Sequence, residues 1–273
     1  MEMHREMPRL SSFGVKDLLV RIGRKEILSH LSMEFSVGKR TAIIGANGAG
    51  KSTLLRALAR LNDNYQGEIL LDGEDTKRLS RKQLARRLAI LPQGMQAPAD
   101  TTVETLVDYG RFPYRSWHGG SQNAREDRMT VEWALSVTRL KALKDRQVMT
   151  LSGGERQRAW IAMALAQKPE ILLLDEPTTY LDIAHQLEVM QLVQNINEEY
   201  GMTVIMVLHD INHALQYADE IAVIKDGGIF SQGRPEAVLN VDMLREVFGV
   251  RADIFRNSQG AAVLSPVEIV GRA

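Results

Sequence analysis

The sequence predicts an α/β fold built on a parallel sheet, with an antiparallel β edge and an inserted helical lobe. Three observations carry this expectation. Short apolar runs at 40–44, 171–174, 204–208 and 221–224 are each followed by a loop, helix or turn, the order that a parallel sheet requires. Two longer strand-like runs stand ahead of the first of them. Between about 95 and 149 the β pattern disappears and helical spacing takes over.

Taken in order, runs 14–22 and 27–35 flank a Gly-Arg-Lys turn and read as a β-hairpin edge. The apolar strand 40–44 leads into a glycine-rich loop and then a helix from 51 to about 60. Strand 68–71 closes on the Asp72-Gly73 turn. The segments TTVETLVDYG and AREDRMTVEWALSVTRL are helical, with RFPYRSWHGGSQ as a loop between them. The tail from 234 carries two short helices and a final hairpin through 253–255 and 261–264. This organisation gives one domain over 10–250, with the lobe inserted at about 95–160, and a short tail over 251–273.

Lys plus Arg and Asp plus Glu both number 34, so no whole-protein field gathers nucleic acid or anionic lipid, and phosphate binding must be local. The absence of cysteine excludes disulfides, thiolate catalysis and cysteine-ligated metal. The start, MEMHREMPRL, has no apolar h-region, and no window approaches 18 uninterrupted apolar residues. A role at a membrane would therefore be that of a peripheral subunit.

GANGAGKST, Gly45 to Thr53, follows a strand and opens a helix. In that context Gly45, Ala46, Asn47, Gly48, Ala49 and Gly50 present backbone N–H groups to a polyphosphate at the positive end of the helix. Lys51 is expected on the β and γ phosphates and the Ser52 hydroxyl on Mg²⁺. In ILLLDEP the apolar run is a buried strand, so Asp175 stands at its carboxyl end, where it can hold the Mg²⁺ shell. Strand alternation would turn Glu176 to the other face, toward an attacking water. Taken alone, the acid pair could equally cap the next helix. His209 ends the run TVIMVLHD and can hydrogen-bond a γ-phosphate, although a lone histidine there also serves packing or capping. Gln93 in LAILPQG is a further Mg²⁺ ligand candidate at the hinge into the lobe. LSGGERQR places Ser152, Gly153 and Gly154 at the amino end of a helix over 155–167, a second anion site.

The whole set, GANGAGKST, Gln93, LSGGERQR, ILLLDEP, Leu181-Asp182 and His209, resembles the nucleotide-binding subunits of ABC transporters, nearly collinearly from about 10 to 240. The resemblance implies a P-loop NTPase core and an ATPase that uses ATP and Mg²⁺. It implies a head-to-tail dimer of two copies, in which LSGGE of one chain closes over the ATP of the other and Asp182 lies at their contact. Carried over, Lys51, Ser52 and Thr53 bind phosphate and Mg²⁺, Glu176 is the general base, and His209 and Gln93 sense the γ-phosphate. One departure stands out: Ile22 occupies the place where the family usually stacks an aromatic ring on adenine. The stretches LDEPTTYLDIAHQ, YGRFPY and QGRPEAVL resemble ATPases that drive import of iron–siderophore, haem or cobalamin. The implied partners are integral membrane permease subunits and, indirectly, a periplasmic or extracellular substrate-binding protein, with the chain at the cytoplasmic face of the inner membrane. The loop RFPYRSW, with Phe112, Tyr114 and Trp117, is either the permease socket or packing within the lobe. The rival reading is a soluble ABC-type mechanoenzyme acting on nucleic acid or the ribosome. No coiled-coil insertion or tandem copy in the sequence favours that rival.

Overall fold

The computed structural model describes residues 10–115, 123–258 and 262–271. The chain forms two compact units, one from Ser11–Asp75 and Ile205–Ala273 and the other holding Thr76–Val204. In the first, β1 (Phe13–Ile22) and β2 (Lys25–Phe35) form the expected hairpin, paired from Phe13↔Phe35 to Ile22↔Lys25 with register shifts between Val15 and Arg21. Burial alternates along the second half of β2, as in a sheet with one covered face, whereas β1 buries its residues in runs of three separated by exposed pairs. Next come β3 (Arg40–Gly45), α1 (Lys51–Leu58), β4 (Tyr65–Leu71), antiparallel to β1, and a two-residue β5 (Glu74–Asp75). Helix α1 sinks Leu54, Leu55, Ala57 and Leu58 into the core and leaves Arg56 outside, which fixes its loop end on the same core.

The second unit begins with elements that apolar patterning does not reveal. Helix α2 (Arg81–Arg87) buries only Leu84 and is held by a capping box in which Ser80 and Gln83 satisfy each other's backbone N–H. It runs into β6 (Leu88–Leu91). The lobe contains α3 (Val103–Tyr109), a single 3₁₀ turn Phe112–Tyr114, α4 (Ala124–Val137) and α5 (Gly153–Ala166). Strand β7 (Ile171–Asp175) is buried at every position and pairs in parallel with β6, from Leu88↔Ile171 to Leu91↔Leu174. After α6 (Ile183–Tyr200), β8 (Thr203–Val207) carries the chain back into the first unit.

There α7 (Ile211–Tyr217), β9 (Glu220–Lys225), β10 (Gly228–Gly233), α8 (Pro235–Val238) and α9 (Val241–Met243), the last continuing as a π turn over Leu244–Phe248, precede the hairpin β11 (Val250–Arg256) and β12 (Ala262–Ile269). Strand β9 pairs in parallel with β3 and antiparallel with β10. The final hairpin is longer than 253–255 and 261–264, and it is tied down by a side chain: Asn212 of α7 donates to Leu264 O at 3.1 Å and accepts from Leu264 N at 2.9 Å. No helix among the described residues is long and apolar enough to cross a membrane.

The lobe is organised by one buried guanidinium. Arg111 donates to Asp127 Oδ1 at 2.7 Å and to Ala166 O at 2.8 Å, and it lies 3.8 Å from the centroid of the Tyr114 ring. It thus joins the 3₁₀ turn, α4 and the end of α5. Both charges are buried, and removing one partner strands the other in low dielectric. Asp127→Ala is expected to cost about 3–5 kcal/mol, read from the midpoint of urea unfolding of the full chain.

Candidate functional site

Two sets of predicted residues assemble, one in each unit. In the first, β3 delivers the chain at Gly45 and α1 begins at Lys51. The loop between them is forced by glycine: Gly48 and Gly50 have φ of 81° and 105°. A Cβ on Gly50 would stand 2.6 Å from Leu28 Cδ2 and 3.0 Å from Ile27 O, so no other residue fits there. Lys51 is buried and its Nζ donates to Gly45 O at 2.8 Å and Ala46 O at 3.0 Å, curling the ammonium over the loop. The first N–H groups of α1 have no intrahelical acceptor, and Gly48 has open space on its side-chain face. Positive helix end, lysine and open glycine turn together fit a polyphosphate.

A cavity of about 370 Å³ adjoins this loop, lined by Ala46, Asn47, Gly48 and Ala49 and also by Lys25, Glu26, Lys225 and Glu246. These charged residues, with Asp226 beside them, carry no local sequence signal; only the topology brings the β1–β2 turn, the β9–β10 turn and the π turn to the loop. Leu208 N donates to Ile43 O at 3.2 Å, which seats the end of β8 beside β3 and leaves His209 exposed just beyond it. Asp210 then caps α7, accepting from Asn212 N and His213 N.

In the second unit the parallel register explains the pairing of Gln93 with Glu176. With Leu91 opposite Leu174, both residues lie two positions past the last pair, and Gln93 Nε2 donates to Glu176 Oε2 at 2.5 Å. The Thr179 hydroxyl donates to the same oxygen at 3.1 Å. Strand alternation does not aim Glu176, because β7 stops at Asp175 and Glu176 sits in the left-handed region at φ 53°. Its direction comes from that turn, a conformation costing a non-glycine residue of order 1–3 kcal/mol. Asp175, at 3% exposure, remains inside the strand end. Gln93, Asp175, Glu176 and Gly153 line one cavity of about 250 Å³.

The paired glycines belong to the helix and do not precede it: α5 begins at Gly153, with Ser152 as its N-cap. The Ser152 Oγ accepts from Glu155 N at 3.2 Å, and Ser152 N donates to Glu155 Oε2 at 2.8 Å. That backbone bond is the chief reason the Glu155 carboxyl is held below its ordinary range. The hydroxyl oxygen therefore serves the cap, and the donors this turn could offer an anion are the backbone N–H groups of the first turn and the hydroxyl proton. Asp182 likewise serves as a cap, accepting from His185 N at 2.9 Å, with its side chain largely exposed beside Tyr180 and Ile183.

Comparison with known proteins decides the family. Residues 28–179 match the family model described as ABC transporter. The chain belongs to the ABC transporter ATP-binding family. It is 50% identical over 232 residues to the petrobactin import ATP-binding protein FpuC of Bacillus anthracis, covering 85% of each chain. Identity to the iron(3+)-hydroxamate import ATP-binding protein FhuC of Bacillus subtilis is 43% over 245 residues, 90% of each. To the ferric enterobactin transport ATP-binding protein FepC of Escherichia coli it is 42% over 239 residues, 88% of each. Among solved structures, a chain of a metal-chelate type ABC transporter in an inward-facing conformation superposes with a TM-score of 0.81 at 24% identity, covering 94% of this chain and 98% of that one. A dimeric ATP-binding cassette bound to ADP and Pi superposes at 0.70 with 29% identity, covering 82% of this chain and 98% of that one. This ABC cassette is accordingly an ATP-binding ATPase of the P-loop fold.

Ile22 stands at the end of β1 with 59% of its surface exposed, and no aromatic residue lines the cavity by the loop among the described residues. An isoleucine offers no π face to a base. Ile22→Tyr is expected to tighten ATP binding several-fold, from stacking worth about 1 kcal/mol, measured by titration calorimetry without Mg²⁺ to prevent turnover.

Proposed function

We propose that this cassette hydrolyses MgATP to power an importer of ferric siderophores, acting as a head-to-tail dimer bound to membrane permease subunits at the cytoplasmic face of the inner membrane. A substrate-binding protein outside the membrane would be an indirect partner. The observation that carries the substrate class is identity of 42–50% along nearly the whole length of relatives named for siderophore or hydroxamate import. Haem and cobalamin are the neighbouring alternatives.

In the proposed chemistry Gly45 to Thr53 cradle the phosphates, with Lys51 leaving its two carbonyl partners for the β and γ groups. Ser52, Gln93 and Asp175 supply hydroxyl, amide and carboxylate oxygens, a hard donor set suited to Mg²⁺, which when bound screens phosphate charge. Glu176 takes the proton of the attacking water. Hydrogen bonds from Gln93 and Thr179 help hold the carboxylate in one orientation, so a change at Gln93 is felt directly by the base. His209 contacts the γ-phosphate. Ser152, Gly153 and Gly154 face the nucleotide of the second copy, and Asp182 lies at the dimer contact. These residue roles follow the family motif position by position.

The permease socket is proposed at the 3₁₀ turn after α3. Phe112 is 55% exposed and stacks on Tyr109 with centroids 5.3 Å apart. Tyr114 turns inward instead: its hydroxyl donates to Gln167 O at 2.8 Å, and burial raises its pKa above the ordinary tyrosine value. Trp117 lies outside the described residues. Phe112 is thus the aromatic in this turn available to a partner, and Tyr114 is packing.

Glu176→Gln keeps an acceptor for Gln93 and Thr179 but cannot accept a proton. It should bind MgATP normally and turn over at least about a hundredfold more slowly; hydrolysis near the parent rate would remove Glu176 from the role of base. The substrate class is tested by radioiron uptake from a panel of siderophores, with haem and labelled cobalamin alongside, in cells with and without this chain. Loss confined to ferric siderophores is expected, and equal uptake of all of them would overturn the assignment.

A further inference from the structure

The sequence LDIAHQ contains a histidine that the proposed chemistry leaves without a task. His185 lies in the first turn of α6, three residues after the cap Asp182, and its ring rests on the turn that opens α5. A Cβ placed on Gly154 would stand 2.5 Å from His185 Nδ1 and 2.6 Å from its Cγ, separations that side chains do not tolerate. Gly154 is inside a helix and has no left-handed φ. On helix propensity alone alanine would be preferred to glycine in a helix. What the backbone does not require, the imidazole does: glycine is needed at 154 because a ring fills the space of its side chain. Gly153 is backed in the same way by Leu181, whose Cδ2 would lie 3.2 Å from a Cβ at that position.

The ring is fixed on both sides. Its Nδ1 lies 3.1 Å from Glu188 Oε2, one turn along α6, and its Nε2 lies 3.9 Å from Asp182 Oδ2. Glu188 Oε2 in turn accepts from Arg158 Nη1 at 2.6 Å, and Arg158 is one turn beyond Gly154 on α5. A closed circuit results, from Gly154 along α5 to Arg158, across to Glu188, back to His185 and onto Gly154 again. The histidine hydrogen bond is the first of the causes that hold the Glu188 carboxyl below its usual range, with Arg158 adding to it.

We infer that His185 is a positioning residue for the Gly153–Gly154 turn, a peg that sets where the backbone donors of this second cradle point and that passes displacement of the Asp182 end of α6 directly to them. The inference rests on the reading that this turn meets the nucleotide of a second copy. Hydrogen bonds to phosphate weaken steeply as donors tilt, so a turn that loses its backing loses closure over the nucleotide before it loses its fold. The phosphate loop at Gly45 to Thr53 is untouched by any of these contacts.

The test uses the full chain in the slow Glu176→Gln parent, with ATP-driven dimer formation followed by light scattering and ATP binding by calorimetry. His185→Ala should weaken dimer formation at least about tenfold while ATP affinity of the monomer changes less than about twofold. His185→Asn, whose Nδ2 reproduces the Nδ1 position, should recover most of the loss. With Glu176 restored, His185→Ala should lower kcat and leave KM for ATP near the parent value. Gly154→Ala should lower the melting temperature when His185 is present and lose that penalty in the Gly154→Ala/His185→Ala pair, a readout that stands even if one single variant folds poorly. Unchanged dimerisation in His185→Ala, or Gly154→Ala tolerated beside His185, would overturn the role. Failure of the Glu176→Gln parent itself to dimerise with ATP would instead overturn the shared-nucleotide reading on which the role rests.

Discussion

Everything this cassette does with phosphate depends on one constraint: the first turn of an α-helix leaves its N–H groups without acceptors inside the helix. Water satisfies them on an ordinary surface helix. Here the two helix starts carrying the recognisable motifs are shaped by glycine, α1 by a loop whose backbone no other residue can follow, α5 by a histidine that forbids a side chain at Gly154. In both cases neighbouring atoms occupy the space a Cβ would need, so glycine lets the turn pack closely against its support, and of these glycines only Gly48 faces open space. The strands serve the same end, because a strand buried on both faces can bear charge only where it stops, as Asp175 does at the end of β7.

The chain's legibility followed burial. Runs such as ILLLD and TVIMV announced themselves because every position is inside, and the hairpin of β1 and β2 showed in its flanking turn. Helix α2 escaped notice because RKQLARR has one buried residue, although the Ser80…Gln83 spacing of its capping box was a readable signal. Strand β10, GIFSQG, begins and ends in glycine and has no fully buried position, so neither propensity nor alternation marks it. The motif residues were recognisable by type and spacing. Their partners were not, since Gln93 meets Glu176 only through the register of β6 on β7, and Asn212 meets Leu264 across 52 positions of sequence.

The turn at Glu176 shows how a side chain expected to be aimed by strand alternation can be aimed by a different geometry. Alternation along a strand would have aimed the carboxylate by default, at no energetic cost. A left-handed φ aims it instead and must be maintained by the contacts around it, among them the Thr179 hydroxyl three residues on and the Gln93 amide from the loop after β6. Orientation of this carboxylate is thus a property of tertiary structure and is sensitive to movement of the segment that carries Gln93.

The curled lysine of the phosphate loop has a consequence for how tightly any nucleotide can be held. Lys51 already donates to Gly45 O and Ala46 O, so in its proposed role a contact with phosphate would replace existing bonds rather than fill an empty one. The enthalpy released is a difference between acceptors, far smaller than the gross strength of an ammonium–phosphate contact. Release is eased by the same exchange, since the departing product leaves behind an ammonium with carbonyls waiting for it.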